Sequence, residues 1–359
     1  MRKYYGTELL AKLSELFGPS GCEYNVADFI IAQIDNVCDA YCTDRCGNVI
    51  AKVCGSGVYY NEEKPLKVMV SAHMDEVGVM ISDITDEGYL KFSTIGGIDS
   101  RVLCGRNVEI GDENRRVKGV IASKAIHMQT KEERGKTTPI NKMYIDIGAT
   151  DKEDAEKYVS IGDVGVFDSD FVTFGGERKK FKGKALDDRF GCAVMIEVMR
   201  ELRSSEKELP YDVYFCFTCC EEIGISGATV AAQTIEPDIA FILEATAVAD
   251  IAGVPEQSNV AVQGEGGAIS FMDRSTIYDR RFVSLIMNIA ENKGIKAQLK
   301  RFVSGGNDAS HIQRSTKGVK VVAISVPARY IHSASCVIDA EDYTSVKDLM
   351  FAVISDGKL

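Results

Sequence analysis

No apolar stretch in this sequence approaches the roughly twenty residues that a membrane-spanning helix needs, so no span is expected. Basic residues are also in short supply. Lys and Arg number 42 against 53 Asp and Glu, a formal net charge of −11, which argues against a nucleic-acid or anionic-membrane partner. The opening Met1-Arg-Lys-Tyr-Tyr-Gly-Thr-Glu lacks the apolar run and small-residue cleavage site of a secretory leader, so none is expected. Internal repeats and low-complexity segments are missing. The eleven cysteines are an odd number scattered from Cys22 to Cys336, with no compact disulfide framework, and many sit in apolar strands. Free thiols behave there as small hydrophobes, and a reducing cytoplasm is the natural compartment. Histidine is scarce: His73, His127, His311 and His332 are the four candidates for any site that needs imidazole.

What is present is an ordinary globular composition, 45% hydrophobic and 26% charged over 359 residues, enough for roughly two domains. Leu9, Leu10, Leu13, Leu16 and Phe17 recur at helical spacing up to the stop at Gly18-Pro19-Ser20-Gly21, and Val26, Phe29, Ile30 and Ile34 make a second helical face. Short strands are expected around the Gly47-Asn48 turn, and a buried strand over 66–71. From about Val79 to Gly175 the texture changes to short alternating segments between glycines, with one helical pattern near Asp151 to Val159. That region reads as a small β-rich unit inserted into the main chain, giving domains 1–78 with 176–359, and 79–175. Beyond it strands at 211–218, 238–243 and 319–326 alternate with helices at 188–202, 227–233, 280–292 and 343–354. The expected fold is α/β, a sheet covered by helices on both faces.

The chemistry-bearing residues follow the ends of those strands. His73 and Asp75 follow the first, Glu221 and Glu222 the second, Glu244 the third, and His332 lies a few residues beyond the last. Open α/β sheets bind ligands outside the carboxyl ends of their strands, so four strands aim acids and imidazoles at one rim. Asp187 begins a helix in Ala185-Leu-Asp-Asp-Arg, where the dipole favours a carboxylate. A pair of divalent ions about 3.5 Å apart needs a carboxylate able to bridge them, with oxygen and imidazole ligands on each side. A further carboxylate beside them can accept the proton of water and pass it to a leaving amine. The Glu221-Glu222 pair can supply both a ligand and a base only if the chain turns there, because adjacent side chains of a strand oppose each other; Gly224 suits such a turn.

The segments Gly18-Pro-Ser-Gly, Ser71-Ala-His-Met-Asp-Glu-Val-Gly, Lys184-Ala-Leu-Asp-Asp-Arg-Phe-Gly, Cys220-Glu-Glu-Ile-Gly-Ile-Ser-Gly-Ala and Arg329-Tyr-Ile-His-Ser together resemble the M42 family of metallo-aminopeptidases. The resemblance runs in order along almost the whole chain and includes Ser123-Lys-Ala-Ile-His-Met and Thr130-Lys-Glu-Glu-Arg in the middle unit. It implies a mixed sheet of zinc-peptidase type with an inserted β domain that mediates assembly. It also implies two divalent ions per subunit, zinc or cobalt, peptide substrates, and a large homo-oligomer, a dodecamer built from dimers. Asp187 would bridge the ions, His73 and Glu244 would complete one site, and Glu222 and His332 the other. Glu221 would be the general base and acid, and Asp75 would orient His73. Two departures stand out: many members carry Asp where this chain has Glu244, and Ser304-Gly-Gly-Asn-Asp-Ala has Asn307 in place of Thr.

Plainer readings compete at each position. A histidine after a strand is commonly a hydrogen-bonded structural residue, Asp188 or Asp187 can cap a helix, and a Glu-Glu pair can be a solvated turn. His127 and His311 are not expected to be ligands. The cysteines at 216, 219 and 220 are expected to pack, since Cys219 and Cys220 would face opposite ways in a strand. Gly264-Glu-Gly-Gly lacks the context of a phosphate-binding loop. Rival functions are an endoglucanase-type glycoside hydrolase using a carboxylate pair, which leaves His73, Asp187 and His332 unused, and a non-catalytic, metal-free scaffold.

Overall fold

The computed structural model describes residues 2–56, 66–112, 115–303, 305–356 and 359. Its centre is an 11-stranded mixed sheet. The four middle strands, Asp212–Thr218, Lys67–His73, Ile239–Ala247 and Lys320–Arg329, are neighbours in that order and all parallel. Antiparallel strands flank them: Val49–Val53 and Ala40–Thr43 on one side, Cys336–Asp339, Lys180–Gly183 and Val172–Phe174 on the other. Gly267–Ile269 also pairs with Lys320–Arg329 and carries Ala297–Leu299.

Successive residues of a strand point to opposite faces, so an unbroken buried run requires cover on both. Val68 to His73 and Ile239 to Thr246 are buried at every position. Helices supply the cover. Leu186–Ser205 lies on Lys67–His73 and Ile239–Ala247, flanked by Gly6–Glu15 and Ala340–Ser355, while Ser226–Ile235 and Ala309–Gln313 pack on the central strands as well. Leu186–Ser205 is buried nearly all round, with Phe190, Val194, Ile196 and Met199 at 0% exposure, as a helix enclosed by other layers must be. Its first turn is irregular: Asp187 and Asp188 carry non-helical backbone angles, so the regular helix begins after them.

The strands Gly78–Ile84, Leu90–Ile95, Tyr144–Asp146, Arg116–Ala122, Asn107–Gly111 and Val164–Phe167 close into a small barrel in that spatial order. Here one strand face is wet, as the alternating exposure along Arg116–Ala122 records. Ile81, Leu90, Phe92, Ile110, Ile121 and Ile145 form a core of the barrel's own. Val172–Phe174, by contrast, belongs to the large sheet.

Strand lengths depart from the sequence reading at one consequential place. The strand expected to stop at Leu243 continues to Ala247, because Ala245, Thr246 and Ala247 remain paired with Val326, Pro327 and Ala328. Glu244 is therefore held inside a strand and does not follow one. Among the described residues no helix is long and apolar enough to cross a membrane.

Candidate active site

Strand register decides which side chains meet. His73 is the last residue of its strand and pairs with Thr218, so Glu221 and Glu222 leave the neighbouring strand just beyond it. On the other side Ser71 pairs with Ile242, which sets Glu244 level with His73 two steps further on. Lys320–Arg329 leads into Tyr330 and His332, whose φ values of 58° and 55° lie in the left-handed region. A non-glycine residue there costs of order 1–3 kcal/mol, and the surrounding contacts must hold it. The Glu-Glu turn is made the same way: Cys220 has a φ of 53°, ahead of Gly224 at 86°. Asp75 then fixes that turn, its two oxygens accepting the backbone N–H of Glu221 at 3.0 Å and of Glu222 at 3.1 Å. Ser20 Oγ donates to the same carboxylate at 2.6 Å.

Asp187 stands between the two imidazoles. Its Oδ1 is 3.3 Å from His73 Nε2, and its Oδ2 is 3.4 Å from His332 Nε2. His73 Nε2 also faces Glu244 Oε1 at 3.7 Å, and His332 Nε2 faces Glu222 Oε1 at 3.2 Å. The far nitrogens are held as well. His73 Nδ1 meets the carbonyl oxygen of Asp75 at 3.1 Å and its Oδ1 at 3.3 Å, and His332 Nδ1 meets the carbonyl of Gly97 at 2.7 Å. Gly97 follows barrel strand Leu90–Ile95, so the barrel segment reaches into the cluster. Ligand atoms of His73, Asp187 and Glu222, and likewise of His73, Asp188 and Glu244, lie within 4.8 Å of one another.

The charge balance is lopsided. Asp75, Asp187, Asp188, Glu244 and Asp308 are buried, Glu221 and Glu222 are partly so, and against these seven carboxyl groups stand two imidazoles and the buried Lys300, whose charge acts on Glu244. Burial is the leading reason that Glu221 and Asp188 are pushed well above the usual carboxylate range and Glu244 up to about 8, with neighbouring carboxylates adding to it. Asp187 goes the other way: burial opposes its charge, but the hydrogen bonds from His332 and His73 outweigh it and hold it far down. Burial alone would lower His332, yet Asp187 and Glu222 raise it to about 11, and His73 rises similarly through Asp187, Asp75 and Glu244. Desolvated carboxylates with too few positive partners are an environment suited to cations.

Of the side chains named for the site from sequence, His73, Asp75, Asp187, Glu222, Glu244 and His332 join in one network of contacts, and Glu221 is tied to it through its backbone N–H on Asp75 and through the charges of Glu244, Asp308 and Glu222. His127 sits on an exposed helical turn, and His311 Nδ1 pairs with Thr229 Oγ1 at 2.9 Å, outside the network. Three supporting residues have no site role assigned from the sequence. Asp188 does cap its helix, its carboxylate accepting the Gly191 N–H at 3.1 Å, and it also accepts the His73 N–H at 3.3 Å. Asp308, in the Gly-Gly-Asn-Asp-Ala segment, accepts from Thr218 Oγ1 at 2.8 Å and Ser71 Oγ at 3.1 Å beneath the cluster; Ser304, at the head of that segment, lies outside the described residues. Gly97 acts through a carbonyl, which no side-chain pattern signals. One expectation is corrected: Cys219 and Cys220 do approach each other, with Glu23, to within 4.8 Å, because the left-handed Cys220 ends the strand alternation.

Comparison with known proteins follows the same lines. A family model described as M42 glutamyl aminopeptidase matches residues 47–349. A putative aminopeptidase of Acetivibrio thermocellus is 37% identical, the alignment covering 97% of this chain and 98% of that protein. Among solved structures, a TET aminopeptidase from a marine-sediment Thaumarchaeota archaeon superposes with a TM-score of 0.91 at 34% identity, over 97% of this chain and 95% of that one. The Pyrococcus horikoshii TET1 peptidase, which can assemble into a tetrahedron or a large octahedral shell, gives a TM-score of 0.84 at 34% identity, over 97% and 98% of the two chains.

Proposed function

Since this chain belongs to the M42 peptidase family and is a peptide hydrolase, we propose that it removes single amino-terminal residues from short peptides at a pair of divalent cations. The observation that carries this reading is Asp187, whose two oxygens each face a different imidazole, with Glu244 beside one and Glu222 beside the other. That is the donor arrangement a bridged pair of ions requires, and the surplus of desolvated carboxylates gives the charge it would offset. Imidazole and carboxylate donors suit zinc or cobalt. Asp187 would bridge, His73 and Glu244 would hold one ion, and Glu222 and His332 the other. When bound, the ions would polarise the scissile carbonyl and supply hydroxide at neutral pH.

The chain's own groups have the following parts. Glu221, raised in basicity by burial and its neighbours, accepts the proton of the attacking water and returns it to the leaving amine. Asp75 is a positioning residue that fixes the ring of His73 and the backbone of Glu221 and Glu222 with one carboxylate. Gly97 does the same for His332. We assign the segment 79–175, which holds all of the barrel strands but Gly78, to assembly, with 1–78 and 176–359 forming the catalytic unit, whose large sheet also takes in Val172–Phe174. The assembly we propose is a closed homo-oligomer, a dodecamer built from dimers; the similar Pyrococcus horikoshii TET1 peptidase can assemble into a tetrahedron or a large octahedral shell. The eleven unpaired thiols suit the cytoplasm.

The test is a panel of aminoacyl chromogenic substrates and free or amino-acetylated peptides, with metal content measured on the same sample. Hydrolysis of free amino ends alone, abolished by a chelator and restored by zinc or cobalt, is expected. Failure to cleave any free amino end with two ions bound, or cellulose hydrolysis that survives the chelator, would overturn the proposal.

A further inference from the structure

The turn that delivers Glu221 begins with two adjacent thiols, and neither the site roles that the resemblance implies nor the reaction above uses them. The sulphurs of Cys219 and Cys220 and a carboxylate oxygen of Glu23 all lie within 4.8 Å of one another. Cys219 and Glu23 are buried and Cys220 is half-buried. Glu23 arrives from the start of helix Tyr24–Ile34, far away in sequence, and its Oε1 accepts the N–H of Gly21 and of Cys220, each at 3.0 Å, while facing Cys220 Sγ at 3.6 Å. Cys219 Sγ points at the carbonyl oxygen of Cys46, 2.9 Å away.

The charge around this group is as one-sided as in the acidic cluster. Among the described residues Glu23 forms no salt bridge with Lys or Arg, and the carboxylate that it senses most strongly is Asp75. A buried carboxylate without a cationic partner is costly, and a bound cation removes that cost. The two thiolates are soft donors of the kind that select zinc-like ions over calcium or magnesium, and the carboxylate adds a negative charge. Around such an ion, with sulphur at about 2.3 Å and oxygen at about 2.0 Å, tetrahedral neighbours stand roughly 3.5–3.8 Å apart. The three donors, within 4.8 Å of one another, therefore need to draw in by no more than about 1.3 Å.

We infer that Cys219, Cys220 and Glu23 form a separate binding site for a thiophilic divalent cation of the zinc and cadmium class. Binding forms two metal–sulphur bonds and one metal–oxygen bond, releases the two thiol protons to solvent, and involves no oxidation; the remaining coordination position is left to water. The site is distinct from the acidic cluster but joined to it, since the next two residues are Glu221 and Glu222 and Asp75 holds both of their N–H groups.

Cobalt is the probe that separates the two sites. Cobalt held by nitrogen and oxygen alone gives weak visible bands, whereas a thiolate ligand adds intense charge-transfer absorption in the near ultraviolet. The full-length protein, kept reduced with a phosphine, should develop that near-ultraviolet band as cobalt is added. Cys220→Ser should lose most of it, Glu23→Gln should weaken cobalt binding at the band, and Asp187→Asn should keep the band while altering the visible region. Circular dichroism of each variant checks its fold, and the conservative Glu23→Gln variant stands in should Cys220→Ser prove unfolded. No near-ultraviolet band in the unaltered protein would overturn the site, as would a band of full strength in Cys220→Ser or one that disappears in Asp187→Asn.

Discussion

Replacing Glu221 with glutamine should leave the protein folded and metal-loaded but nearly inactive. The side chain keeps its size, and the backbone N–H that Asp75 accepts at 3.0 Å is untouched, so the turn and the neighbouring Glu222 keep their positions. What disappears is a carboxylate whose basicity is raised by burial and by Glu244, Asp308 and Glu222. A positioned general acid–base is worth about 10²–10⁴ in rate, or roughly 3–5 kcal/mol of barrier at 1.36 kcal/mol per tenfold. The loss should fall on kcat with KM little changed, because an amide still fills the space. Its pH dependence has a definite sign. The ionised form is the active base, and its pKa lies above the ordinary carboxylate value, so kcat/KM of the unaltered enzyme should rise with pH on a limb displaced upward from the usual carboxylate range. Bound cations would draw that limb back down, and in Glu221→Gln it should vanish. Aminoacyl anilide hydrolysis from pH 4 to 9, with metal content measured on each preparation, reads all of this. A fully loaded Glu221→Gln enzyme with activity within about threefold of the parent would refute the assignment, since that is far below the general-base range.

Asp187→Asn removes the charge that both imidazoles face, and metal analysis after dialysis should find both ions lost; retention of either would remove the bridging role. Asp75→Asn should cost about 10–100-fold in metal affinity or turnover, because it loosens His73 and the Glu221-Glu222 turn together; an unchanged enzyme would make the contact incidental. His332 is held protonated up to about 11 in the metal-free site by Asp187 and Glu222, so an ion binding at neutral pH must displace that proton. Calorimetry in buffers of different ionisation enthalpy should record at least one proton released per subunit, and apparent affinity should climb with pH below that value; no release would contradict the arrangement. Arg189, at 0% exposure, donates to the carbonyls of Leu13 at 2.7 Å and Gly18 at 3.2 Å and pairs with Glu76. Arg189→Ala should destabilise the fold by about 3–5 kcal/mol in denaturant titration, and a loss below about 1 kcal/mol would show that the buried network relaxes around it.

The parts of this molecule legible from sequence are those in which the relevant signal is local. Largely apolar runs such as Val68 to Ala72, interrupted by Ser71, and Ile239 to Leu243 announce buried parallel strands, and an acid or imidazole directly after such a run lies on the ligand-binding rim by topology alone. His73, Glu221, Glu222 and Glu244 were accessible in this way. Even so, the strand end near Glu244 was misjudged, because Ala245-Thr-Ala carries little strand signal of its own and is kept extended by pairing with Val326 to Ala328. Tertiary pairing overrode weak propensity there.

Other features depended on what the fold brings together. Asp188 and Asp187 are chemically identical neighbours, and only the irregular first turn of their helix sends one carboxylate between two imidazoles and the other to the His73 N–H. Gly97 contributes a carbonyl, and carbonyls are the same in every residue. The thiol pair departs from strand alternation for a related reason. Strict alternation separates Cys219 from Cys220, and the left-handed angle that reunites them follows from Asp75 and Glu23 seizing the next three N–H groups of the chain, at Cys220, Glu221 and Glu222. Two carboxylates from distant segments thus pull one strand end into a turn. The same pull that aims Glu221 at the cluster also gathers the sulphurs behind it, so any change that releases Asp75 should disturb the acidic site and the thiol site together.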